Sequence, residues 1–114
     1  MTGRPPSTRP GTVAWLEEHR IPHDTLRFVD KYGRFGPEAG WDEALGMDDL
    51  AAMRFRLAIE DSASTAVFLA ENGVAPVVLM DRPWNRHETS GRLTRVAGWA
   101  ALSDNFETPT DRVP

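Results

Sequence analysis

Between residues 56 and 81 the hydrophobic pattern switches twice. "RLAI" (Arg56 to Ile59) is a short apolar run bounded by charge, and "PVVLM" (Pro76 to Met80) is a second. Runs this short fit strands buried on both faces. Between them, Ser62 can cap a helix that runs through Asn72, and Gly73 supplies a natural stop. The three segments predict a strand-helix-strand unit, parallel and right-handed. Glu60-Asp61 follow the first strand directly, and Asp81 follows the second. Downstream, "DRPWNR" reads as a loop and "TRVAGW" as a short edge strand, with Trp99 covering an apolar rim. The tail, residues 103–114, has little to bury and is expected to be flexible.

The first half is less regular. Residues 2 to 11 are rich in proline, threonine and glycine and read as a loop. A helix is predicted from about Ser7 or Thr8 to Arg20, with Pro10 tolerable only in its first turn. Val13, Trp15 and Leu16 would form its apolar face. "IPHD" stops it, and "LRFV" (Leu26 to Val29) is strand-like, with Asp30-Lys31 at its carboxyl end. "YGRFGPEAGWDEALG" is expected to be a long loop with a short helical turn. No Gly-Lys-Ser/Thr follows its glycines, so it is not a phosphate loop of that kind. "MDDLAAMRF" looks helical, with Asp48 or Asp49 near its start.

Composition narrows the classes. At 114 residues the chain is expected to be one domain, residues 1–102, followed by the tail. A net charge of −4 argues against a general nucleic-acid or membrane-surface binder. The absence of cysteine excludes disulfides and thiolate metal sites and is compatible with a cytoplasmic setting. No signal peptide and no membrane-length apolar run is visible. The cations are almost all arginine, and Lys31 is the only lysine.

On a parallel sheet, Asp30-Lys31, Glu60-Asp61 and Asp81 would all lie where strands end, the edge at which open α/β sheets bind ligands. Acids there can hold Mg²⁺ through oxygen ligands. A lysine there can neutralise a phosphoryl group. The ordered set "TGRP", "TVAWLEEHRIPHD", Lys31, "IEDS", "VVLMDRPWNR" and "RVAGW" resembles the later part of a haloacid dehalogenase-like phosphatase, closest to its 5′-nucleotidase or deoxyribonucleotidase-like members. The resemblance covers roughly residues 2 to 102. It implies an incomplete Rossmann-like α/β sheet and Mg²⁺-dependent hydrolysis of a phosphorylated small molecule or nucleotide. It also implies roles. Thr2 would bind a phosphoryl oxygen through its hydroxyl, helped by the amides of Gly3 and Arg4. Lys31 would steady the nucleophile and the phosphate. Asp61 would ligate Mg²⁺, with Glu60 supporting it directly or through water. Arg82 and Asn85 would shape the rim.

One departure is large. The family's first motif is a strand ending Asp-x-Asp, and this sequence contains no Asp-x-Asp. Asp48 and Asp49 are adjacent and fall in a helical stretch. The covalent nucleophile is therefore missing, and in the family's sheet the strand that bears it is central, beside "RLAI". The chain is expected to begin at the second motif, through a misplaced start, a split gene or a remnant with another use. Two alternatives to a catalytic fragment follow: a non-enzymatic module completed by a partner chain carrying the missing strand, or a relative of polynucleotide 3′-phosphatases.

Plainer readings stand beside these. Thr2 could be a frayed terminal residue, Lys31 an ordinary surface lysine, and Glu60-Asp61 a strand-end turn. His19 and His23 are spaced i,i+4, but Pro22 separates them, so a zinc pair is not expected. Trp15, Trp41, Trp84 and Trp99 are expected to be packing residues, because no basic stripe accompanies them.

Overall fold

A computed structural model describes residues 1–105 in backbone and residues 1–102 with side-chain burial. The chain divides into two compact units, one spanning Met1–Ala52 and one starting at Met53.

In the first unit a 3-10 turn, Pro6–Thr8, leads into helix α1, Arg9–Glu18. Pro10 falls in the first helical turn, where its missing N–H costs nothing. The helix is shorter than expected. Arg20, at φ 52, is left-handed and cannot continue it. Its expected apolar face is also corrected: Thr12 is its buried residue, while Trp15 is half exposed and lies against His19, with ring centroids 4.5 Å apart.

The "LRFV" segment contributes two isolated parallel bridges, not a strand. Phe28 bridges Thr2 and Val29 bridges Leu45. The ladder is explicit: Thr2 N–H donates to Arg27 O, Val29 N–H to Thr2 O, Leu45 N–H to Phe28 O and Asp30 N–H to Leu45 O. Thr2 is therefore held on both sides. A 3-10 segment, Glu38–Glu43, supplies the short helical turn expected in the long loop. Helix α2, Met47–Ala51, follows Gly46, whose N–H donates to the Asp49 carboxylate at 2.8 Å. Phe28, Val29, Trp41 and Leu50 form the buried apolar set of this unit.

The second unit is a three-stranded parallel sheet in the order β1-β2-β3, flanked by helices. Its strands are β1 (Ala58–Glu60), β2 (Val77–Met80) and β3 (Leu93–Val96). Helix α3, Ala63–Glu71, joins β1 to β2. Ser62 caps it, accepting from Thr65 N–H at 3.5 Å, and Gly73, at φ 65, closes it. The expected parallel strand-helix-strand unit and edge strand are both present. Every residue of β2 is buried. Val78 and Met80 pack with Val96 and with Leu102 of helix α4, Trp99–Asn105. Alternation turns Val77 and Leu79 to the opposite face, where they are also buried.

Strand β1 departs from expectation. It was expected to be covered on both faces, yet Ile59 is 43% exposed, and Arg56 and Leu57 lie outside the strand. The reason is position: among the described residues β1 pairs with β2 alone and is an edge. Trp99 is exposed as well; Leu102, one turn on, does the covering. Ser103 to Asn105 belong to α4, and the rest of the expected tail lies outside the described residues. Among the described residues no helix is long and apolar enough to cross a membrane.

Candidate functional site

Thr2, Gly3, Arg4 and Lys31 come together in the first unit. The Thr2 hydroxyl accepts from Arg4 N–H at 3.2 Å, closing a tight turn over Gly3. The Lys31 stem runs across that turn: a Cβ on Gly3 would stand 3.0 Å from Lys31 Cε and 3.1 Å from Cδ. Glycine at this position therefore lets the lysine pass. The Arg27–Asp30 ladder fixes both ends of the arrangement, because the same segment that pairs with Thr2 leads straight into Lys31. The turn therefore gathers a hydroxyl, the Gly3 amide and a lysine stem, group types that can take up an anion, while the Thr2 and Arg4 amides are spent on Arg27 O and on the Thr2 hydroxyl.

Asp30, counted among the edge acids, has a different use. It is buried, and its two oxygens accept separately, Oδ1 from Arg34 N–H at 3.0 Å and Oδ2 from Phe35 N–H at 2.9 Å. These backbone donors, Arg34 first, hold its carboxyl below the usual carboxylate range. It shapes the loop after Lys31, with both oxygens engaged by backbone. Beside that loop is a cleft of about 400 Å³ lined by Asp30, Gly33, Phe35, Gly46, Met47, Asp48 and Asp49.

Glu60 and Asp61 lie in the second unit, where β1 ends. Glu60 Oε1 accepts from Asp61 N–H at 3.2 Å and from Ser62 N–H at 3.1 Å. Its carboxylate thus orders the turn into α3. The Asp61 side chain is exposed, while its carbonyl accepts from Trp84 Nε1 at 3.0 Å and from Asn85 Nδ2 at 2.8 Å.

Asn85 is the centre of this rim. It is fully buried, and its amide makes four bonds. Nδ2 donates to Asp61 O and to Met80 O; Oδ1 accepts from Arg82 N–H at 3.1 Å and from Arg95 Nη1 at 2.8 Å. Arg95 also reaches Asn85 O, Glu88 O and Asp81 Oδ1. One buried amide thereby ties the ends of β1 and β2 to β3. Asp81 pairs with Arg95 at 2.9 Å and Arg86 at 3.5 Å, so it is a structural acid of the loop. Trp84 is exposed and anchored by its indole N–H. His19 Nδ1 bonds Trp15 O, within its own helix end.

The donor set sets a limit on metal binding. Among the described residues no group of three or more His, Asp or Glu could hold a metal ion. Two neighbouring carboxylates such as Glu60 and Asp61 would supply at most part of an octahedral oxygen shell.

No family model matches the chain, and no solved structure matches it. It is similar to a protein of Halalkalibacterium halodurans named "Putative nucleotidase BH1399", with 28% identity over 88 residues. The match covers 77% of this chain and 39% of that protein, so the chain spans about two fifths of its relative's length.

Proposed function

We propose that this chain supplies the phosphate-binding turn and the Mg²⁺-supporting loop of a nucleotidase-like phosphatase of the haloacid dehalogenase type. The observation that carries the reading is the packing of the only lysine, Lys31, across Gly3 in the Thr2–Arg4 turn. The similarity to a nucleotidase-named protein supports it. In this reading the Thr2 hydroxyl and the Gly3 amide orient a phosphoryl group, the Arg4 amide joins them only by leaving the Thr2 hydroxyl, and Lys31 neutralises the charge. Asp61, with Glu60 directly or through water, supplies oxygen ligands to Mg²⁺, which would offset charge on the phosphate.

With no Asp-x-Asp in the sequence, the 114 residues alone hold no carboxylate assigned to in-line attack. The loss of one member of a catalytic unit costs nearly as much as loss of the whole. The chain by itself is therefore expected to leave p-nitrophenyl phosphate and a nucleotide panel unhydrolysed with Mg²⁺. A peptide or chain bearing an Asp-x-Asp strand, added in trans, should restore turnover, and Asp61→Asn should abolish it again. Robust turnover by the lone chain, lost in Asp61→Asn, would replace this reading with one using another nucleophile.

A second reading is a non-enzymatic module completed by a partner strand. The open edge of β1 favours it, since Ile59 presents an apolar side chain beside unpaired backbone. Binding of the Asp-x-Asp strand without turnover would select it.

A further inference from the structure

The loop after Lys31 turns an aromatic ring outward at a conformational cost. Phe35 has φ 49, a left-handed conformation that a bulky side chain rarely adopts, and it is 73% exposed. Such strain persists where surrounding structure enforces it. Here Asp30 enforces it by holding Phe35 N–H. Gly33, also left-handed at φ 64, leaves room for the ring: a Cβ there would stand 3.3 Å from Phe35 Cε2. The intervening Arg34 is drawn off elsewhere, with its guanidinium over the Tyr32 ring at 5.4 Å and the Trp41 ring at 5.0 Å. The loop therefore segregates its groups, and Phe35 is left on the wall of the cleft of about 400 Å³ that reaches the start of α2.

The part of the lining supplied by the start of α2 is acidic. Asp49 is committed to Gly46 N–H, whereas the Asp48 carboxylate is exposed and has no partner among the described residues. A phosphate would be repelled from such a wall. A flat ring with N–H donors would be held by it, stacked on Phe35. The cleft is within the range of volumes that take small molecules, and it adjoins the residue next to Lys31 in the chain.

We propose that this cleft binds a nucleobase, with the ring stacked on Phe35 and an exocyclic amine or ring N–H directed to Asp48. The choice of a nucleobase over other flat donors rests on the nucleotidase reading. The cleft thereby separates base recognition from the phosphate-binding turn, and it selects nucleosides over phosphorylated sugars.

The test uses the full chain and two separate probes, adenosine and inorganic phosphate, followed by NMR titration. Adenosine should bind, and Phe35→Ala should weaken it about tenfold, the scale of one lost base-aromatic stack. Phe35→Trp should retain or tighten binding. Phe35→Gly relieves the backbone strain, so it should melt no lower than the parent and still bind adenosine weakly. Phosphate binding should be unmoved by the Phe35 variants and lost in Lys31→Met. Adenosine that does not bind, or binds equally to the parent and Phe35→Gly, overturns the cleft assignment. If phosphate still binds through Lys31 in that case, the phosphatase reading survives. If adenosine depends on Phe35 and phosphate does not bind, the cleft stands and the phosphate-binding turn falls.

Discussion

Asp30 shows how one carboxylate can set the shape of a loop. Each of its oxygens takes a different backbone N–H, from Arg34 and from Phe35, and this holds its pKa below the ordinary value. A depressed folded pKa has a definite sign. The proton binds the unfolded chain more readily, so the stabilisation is complete above the unfolded pKa of about 3.8. It fades as pH falls from there through the folded value. Asp30→Asn offers one acceptor where two are needed. Its urea midpoint should lie below the parent's at pH 7, and the gap should close in acid below the unfolded pKa. A gap that stays constant into strong acid would mean that Asp30 ionisation does not hold the loop. Asp30 was legible in the sequence as an acid after a strand-like segment. Its partners were not, because they depend on the backbone curling back over the carboxylate, which no residue spacing announces.

At the scale of elements, the strand-helix-strand unit was readable because its signals agree. Val77 to Met80 are all apolar and all buried, Ser62 is a cap in sequence and in structure, and Gly73 is left-handed where the helix stops. Such agreement between local preference and packing is what specifies an element. The Ser62 bond to Thr65 N–H is long, at 3.5 Å, so the cap should contribute at the low end of its range. Ser62→Ala is expected to lower stability by about 0.5 kcal/mol, seen as a shift in urea midpoint with the slope unchanged. A loss several times larger would show that the Ser62 hydroxyl matters beyond α3. The misread elements have a common cause. Trp15 and Ile59 were expected at covered positions and Trp99 over an apolar rim because they are apolar, but composition does not reveal which edge of a sheet or face of a helix lacks a neighbour. Asn85 stood in the sequence as a rim residue; its four bonds arise only when strands distant in sequence are paired.

For the whole molecule, the governing fact is the parallel sheet with β2 inside and β1 at an open edge. Ala58 N–H donates to Pro76 O at 2.9 Å, and strand alternation then turns the N–H and C=O of Ile59 away from β2. Neither group of Ile59 has a partner among the described residues. Native-state hydrogen exchange should therefore find the Ile59 amide fast and the amides of Ala58 and of β2 slow. Adding a complementary strand should slow Ile59 selectively. Equal protection of Ile59 and Ala58 in the free chain would contradict an open edge. This edge also limits what the sequence shows: the Thr2–Arg4 turn and the Glu60-Asp61 loop were visible as motifs, whereas the open side of β1 depends on which strands pair.

The buried amide of Asn85 has a consequence for how the rim moves. Because it bonds Asp61 O, Met80 O and Arg95 together, opening any one of these turns leaves a polar atom of a buried side chain short of a partner. Opening the Asp61 turn takes one acceptor from buried Asn85 Nδ2 and so loosens the amide that also holds β2 and β3. Opening at one carboxyl end of the sheet is thereby energetically coupled to the others. A ligand held by Asp61 would lower the population of the released form and, through Asn85, steady the register of β3.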